Sequence, residues 1–142
     1  MIPRYRAWDR EKDRMIYPST TGVCFELNDD GISVLDVDVD YPNDYGFPKI
    51  ASILMQSTGL KDKNGVEIFE GDVVSVSVRN GFDYLDNKVC IVKNSIDYSG
   101  LVCATVDEDL EYQIFNTELF EEYTYEVTGN IYENSELLEE QR

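Results

Sequence analysis

Carboxylates are the reactive groups this chain holds in quantity. Its 142 residues carry 29 Asp and Glu against 12 Lys and Arg, and no His at all. Without His, Ser-His and Cys-His nucleophilic catalysis and every His-ligated metal site are excluded. What remains is carboxylate chemistry: general acid–base transfer between paired acids, or a Mg²⁺ or Ca²⁺ ion held by several of them. Three groupings have suggestive spacing. Asp36, Asp38 and Asp40 alternate with Leu35, Val37 and Val39, as on one face of a strand, where alternate side chains sit roughly 7 Å apart. That is too wide for one ion held by these three alone. An EF-hand register also fails, because the sixth loop position is Tyr41 rather than Gly and the twelfth is Phe47 rather than Glu. Glu70-Gly71-Asp72 reads as a turn or bulge that re-aims the chain, with Asp72 capping it by accepting from backbone N–H groups. Asp107-Glu108-Asp109-Leu110-Glu111 reads as an acidic turn without specific metal spacing. A metal-assisted hydrolase built on Asp36, Asp38, Glu70 and Asp72 requires these acids to converge in one cleft. We therefore assign no catalytic residue, no metal ligand and no cofactor.

The elements that position these groups are short strands. Residues 2–8 and 14–17 predict a first hairpin, turning through a self-neutralising Asp9–Asp13, with Tyr5, Trp8, Ile16 and Tyr17 packed together. Val23–Leu27 and Ile32–Leu35 flank a second turn ending in Gly31, and alternation carries that strand on to Asp40. Tyr41–Pro48 is a loop whose aromatic residues could touch a partner. Ile50–Gln56 follows as a strand anchored by Ile50 and Leu54. Asn64-Gly65 predicts a type I′ hairpin turn. Beyond it Val66, Ile68, Val74, Val76 and Val78 form an apolar face opposite Glu67, Ser75 and Ser77. Residues 79–87 read as a long loop. Strands follow at Lys88–Val92, Leu101–Val106, Tyr112–Phe115 and Tyr123–Tyr132, the last interrupted at Gly129-Asn130. Asn134 or Ser135 caps a short helix over 136–141. About ten strands and little helix argue an all-β barrel or sandwich.

Composition narrows the function classes. An apolar share of 42% with ten Tyr, six Phe and one Trp is that of a folded chain. No apolar run reaches the roughly 18–20 residues that span a bilayer, and the start of the chain does not resemble a signal peptide, so a cytoplasmic location is expected. Cys24, Cys90 and Cys103 form no C-x-x-C pair, and Cys90 and Cys103 sit among strand residues as small buried hydrophobes. The net charge of −17 is uneven: residues 1–14 carry +2, residues 15–106 carry −8, and residues 107–142 carry −11. Such a chain is repelled by phosphate backbones and anionic membranes. Direct nucleic-acid or membrane binding is disfavoured. A basic protein surface, or a second copy, is an allowed partner.

Tyr5–Asp9, Leu54–Asp62 with Asn64-Gly65, Ile68–Val74, and Val127–Asn134 with Glu136–Leu138 together resemble the YopX family of phages and prophages. Ser135 stands where the family often has Pro. The resemblance implies a phage or prophage origin, the cytoplasm of a bacterial host, and an SH3-like barrel. The expected division is an N-terminal β hairpin and strands over 1–57 packed on a barrel over 58–142 with a C-terminal helical tail. It carries over no enzymatic activity and no residue of assigned role. The expected function is a non-enzymatic protein-binding or assembly module that forms homo-oligomers, with Tyr84, Tyr98 and Tyr112 as binding residues near loops or strand ends. The alternative is an acidic DNA mimic that blocks a host nucleic-acid-binding protein through residues 107–142.

Overall fold

Alternating apolar and polar residues, punctuated by Gly, Asn and Asp turns, fold the described residues into eleven strands. The computed structural model describes residues 4–29, 31–38, 46–79, 84–95, 100–108, 110–112, 123–134 and 136. The architecture is mainly β, and the chain divides into two compact units, Arg4–Gln56 and the chain from Ser57 onward.

In the first unit β1 (Tyr5–Asp9) and β2 (Arg14–Ile16) form the expected hairpin, with Ala7 opposite Ile16 and Asp9 opposite Arg14. The other side of β1 pairs with the first residues of β5 (Ser52–Lys61), from Asp9 opposite Ser52 to Tyr5 opposite Gln56. β3 (Val23–Asn28) and β4 (Gly31–Asp36) make the second expected hairpin. The core joins buried Ala7, Ile16 and Val34 to Val23, Phe25 and Ile50. This corrects the expected aromatic cluster. Ile16 lies opposite Ala7, so it shares a face with Ala7 and not with Trp8, and Tyr17 is exposed. The anchors of β5 differ likewise: Ile50 packs on the core, but Leu54 is exposed and its neighbour Met55 is buried. Nor does the alternation after Leu35 continue as strand. β4 stops at Asp36, whose Oδ1 accepts the Asp38 N–H at 3.0 Å. An Asp two residues from an open N–H closes a turn locally, and that competes with extension. Asp40 lies outside the described residues.

In the second unit the later residues of β5 pair with β6 (Glu67–Phe69). β7 (Asp72–Arg79), β8 (Tyr84–Ser95), β9 (Gly100–Thr105), β10 (Glu111–Tyr112) and β11 (Tyr123–Asn130) form an antiparallel sheet in the order β10-β9-β8-β7-β11. Its core is Ile68, Val74, Val76, Cys90, Val92, Cys103 and Tyr125, with Leu101 and Val127 packed on it. Val74 and Val76 are buried and Ser75 and Ser77 half-buried, as the alternation of β7 requires. Of the expected loop over 79–87, Arg79 belongs to β7 and 84–87 belong to β8, while 80–83 lie outside the described residues. β8 begins at Tyr84, opposite Arg79, and one extra residue is absorbed where Asn87 takes φ 49°. A bulge of this kind needs a residue that tolerates the left-handed region, and Asn does. The expected helix over 136–141 lies outside the described residues except for Glu136.

Candidate functional site

Polar side chains concentrate where the shared motifs turn the chain. The first such place is Asp62, 7% exposed, between β5 and β6. Its Oδ1 accepts the N–H groups of Asn64 at 2.8 Å and Val66 at 2.9 Å, and its Oδ2 accepts the N–H of Val127 on β11 at 2.9 Å. Backbone bonds close the same hairpin, from Gly65 N–H to Asp62 C=O at 3.0 Å and from Asp62 N–H to Val66 C=O at 2.8 Å. The turn is not type I′. Only Gly65 takes positive φ, at 82°, and Asn64 does not. Two ordinary residues followed by a left-handed Gly make the longer hairpin turn with a bulge. Asp62 selects it by binding both Asn64 and Val66. Burial alone would raise the Asp62 carboxyl, but the N–H groups of Val127, Val66 and Asn64 and the Lys63 charge outweigh it, holding it below the usual carboxylate range.

The second place is the Glu70-Gly71-Asp72 turn. Asp72 is buried and its Oδ2 accepts the Phe69 N–H at 2.7 Å, the cap expected of it. Gly71 N–H donates to Val92 C=O at 2.8 Å, and Ile131 N–H donates to Gly71 C=O at 2.9 Å, so the turn is laced to β8 and to the chain after β11. Glu70 Oε2 accepts from Asn94 Nδ2 at 2.9 Å.

The third place follows β11. Asn130 Oδ1 accepts the N–H groups of Tyr132 at 3.0 Å and Glu133 at 2.8 Å, while Asn130 Nδ2 donates to Glu133 Oε1 at 2.8 Å. Asn134 Oδ1 accepts the Asn130 N–H at 3.2 Å. Its oxygen thus serves the strand it follows, and the helix that Asn134 or Ser135 is expected to cap lies outside the described residues beyond Glu136. Gly129 is required here by space: an added Cβ would lie 2.5 Å from Asn134 Oδ1.

Tyr84 opens β8 and Tyr112 closes β10, whose partner Cys103 pairs with Val92 well along β8. Eight residues of strand, roughly 25 Å, separate Tyr84 from Val92. The side chains of Tyr84 and Tyr112, and the whole of Tyr98, lie outside the described residues. Among the acids singled out as a metal set, Asp36 is engaged by Asp38 and Asp72 by Phe69. Among the described residues no three Asp, Glu or Cys groups come together to hold a metal ion. Cys90 and Cys103 are buried in the core, and Cys24 is exposed. Burial pushes the Cys90 thiol up to about 12 and raises Cys103 well above its ordinary value. Inert thiols of this kind are core, not nucleophiles.

Sequence reading passes over the side-chain role of Asp62, and takes Asn130 for part of a strand interruption and Asn134 for a helix cap. A partial signal exists for two of them: Asp two and four residues before open N–H groups, and Asn followed by two turn residues, are Asx-turn patterns. The bond from Asp62 to Val127 leaves no local trace.

A search of curated proteins finds no match. Among solved structures, the crystal structure of protein EF1440 from Enterococcus faecalis is similar, with 27% sequence identity and a TM-score of 0.61 over 97% of this chain and 99% of that one. No helix among the described residues is long and apolar enough to cross a membrane. The model of the YopX protein family matches residues 4–139, which takes in all three motif turns. The chain belongs to the YopX protein family.

Proposed function

We propose that this chain is a non-enzymatic protein-binding or assembly module. The observation that carries the proposal is the use made of the motif side chains. Asp62, Asp72, Asn130 and Asn134 all direct side-chain oxygens at backbone N–H groups of turns or of the strand ends beside them. Groups held this way fix loop geometry, and loops on a rigid sheet are where docking surfaces are built. The finer architecture we read in the second unit is an SH3-like barrel over residues 58–133. Supporting it, β7, β8 and β9 form a meander, β11 returns along β7, and Lys63 N–H bonds Tyr125 C=O at 3.0 Å. Tyr84, Tyr98 and Tyr112 are its candidate contact residues. We place the protein in the cytoplasm of a bacterial host, as a phage- or prophage-derived chain.

Affinity capture of the full chain from host cells, with mass spectrometry of what is retained and light scattering of the purified protein, tests this. The expected result is a stoichiometric complex or self-association. A strict monomer that retains nothing contradicts it.

A second reading, an acidic mimic of DNA, rests on charge. The chain from Ser57 onward has six basic residues against nineteen acidic ones, a net of −13. Of those six, Lys63, Lys88 and Lys93 are already paired with Glu126, Asp107 and Glu111. Displacement of DNA from a basic host protein at low salt supports this reading, and its absence across such proteins removes it.

A further inference from the structure

We infer that the outer edge of β3 is a self-pairing surface whose partner is a second copy of this chain. The inference rests on the docking reading above and names the partner. Val37 N–H bonds Gly22 C=O at 3.0 Å in line with the β3–β4 ladder. Positions 22, 24, 26 and 28 therefore turn their backbone groups toward β4, and Val23, Phe25 and Leu27 turn theirs away. On β4 two of the outward groups are taken up: Asp36 N–H donates to Pro48 C=O at 2.9 Å, and Ile50 N–H donates to Val34 C=O at 2.8 Å. Among the described residues, no backbone group does the same for Val23, Phe25 or Leu27.

Other edges are blunted in the ways natural sheets use. β10 has two residues, β2 and β6 have three each, and β11 is bulged after Val127 and bonded by Lys63. β3 has six residues, an unbroken register, no Pro, and Glu26 as its one charge. At its far end Leu27 is 81% exposed.

The strand is self-complementary. Antiparallel pairing that joins at least two outward residues of each copy allows three registers. Centred on Glu26, two carboxylates would face each other, which is destabilising. Centred on Cys24, Phe25 faces Val23 and Leu27 is left uncovered. Centred on Phe25, the two Phe25 residues meet, each Leu27 covers a Val23, and each Glu26 lies opposite a Cys24. That last register covers all the apolar residues and separates the acids. The unit holding β3 has six basic against ten acidic residues, a net of −4, so most of the repulsion between copies lies elsewhere.

Sedimentation of the full chain over a wide concentration range tests the inference. The expected result is a reversible dimer with Kd on the order of 100 µM, tighter as salt rises because screening relieves the repulsion of two −17 chains. Leu27→Pro, which removes an outward N–H at an exposed position, weakens it by about tenfold or more, and Leu27→Asp does so without altering the backbone. In Glu26→Cys, oxidation cross-links the introduced thiol to Cys24 of the other copy, read by peptide mass spectrometry. A chain monomeric throughout, a dimer indifferent to both Leu27 variants, or no 24-to-26 cross-link overturns the inference. A monomer that still captures a host protein overturns it while leaving the docking reading intact.

Discussion

Two buried aspartates, one in each unit, perform the same task at very different range. Asp9 ends β1, and its Oδ1 accepts the N–H groups of Glu11 at 3.0 Å and Lys12 at 3.3 Å while Arg14 Nε donates to Oδ2 at 3.2 Å. All its partners among the described residues lie within five residues. Asp62 binds two N–H groups of its own turn and a third on Val127, sixty-five residues away. Burial works against both carboxylates; backbone N–H groups, with Arg14 for Asp9 and Lys63 for Asp62, more than offset it, and both sit below their ordinary value. The difference teaches what each carboxylate stabilises. Asp9 shapes the turn of its own hairpin, whereas Asp62 ties a hairpin turn to β11. Loss of the first loosens a turn. Loss of the second breaks a tertiary tie.

That contrast can be broken by mutation, and the largest effect belongs to Asp62. Asp62→Ala leaves three N–H groups without their acceptor, one of them on a distant strand. We expect a loss of about 3–5 kcal/mol in chemical denaturation. Gly129→Ala drives a methyl into Asn134 and opens the turn after β11, for about 2 kcal/mol by the same assay. Asp9→Ala removes a local cap and costs about 1–2 kcal/mol; an Asp9 variant that costs more than the Asp62 variant would invert the comparison.

Acid sharpens it further. Each carboxylate has a folded pKa below the 3.8 of its ordinary state, so its stabilisation is complete above that value and disappears as pH falls through the lower folded one. Acid titrations of Asp62→Asn and of Asp9→Asn should each show a flatter loss of stability below pH 3.8 than wild type. The gentlest test perturbs neither. Thiol labelling of the folded chain should modify Cys24 alone, and denaturant should expose Cys90 and Cys103 as well.

Much of the first unit was legible in the sequence because its bonds are local. Both hairpins follow from charged or Gly-ended turns between alternating residues, and the valines of β7 announce their own face. Local competition explains the failures. Asp36 closes a turn on Asp38 where alternation predicts strand, and Asn87 hides a bulge inside β8, so that Tyr84 to Asn87 reads as loop. Asn64-Gly65 correctly marks a hairpin, but the carboxylate two residues earlier decides which turn it is. The role of Asp62 needs β11 to be in place, and no window of sequence holds both. Asn134 differs: its bond back to Asn130 spans four residues, and reading it only as a forward cap hid that contact.

The central claim is that the motif side chains hold the fold. Thermal unfolding of Asp62→Ala, read beside its partner capture or self-association at a temperature where it remains folded, tests that most directly. The account predicts a melting temperature lower by about 10 °C with docking retained. A variant that melts like the wild type and no longer docks would show Asp62 to be a contact residue, and would contradict it.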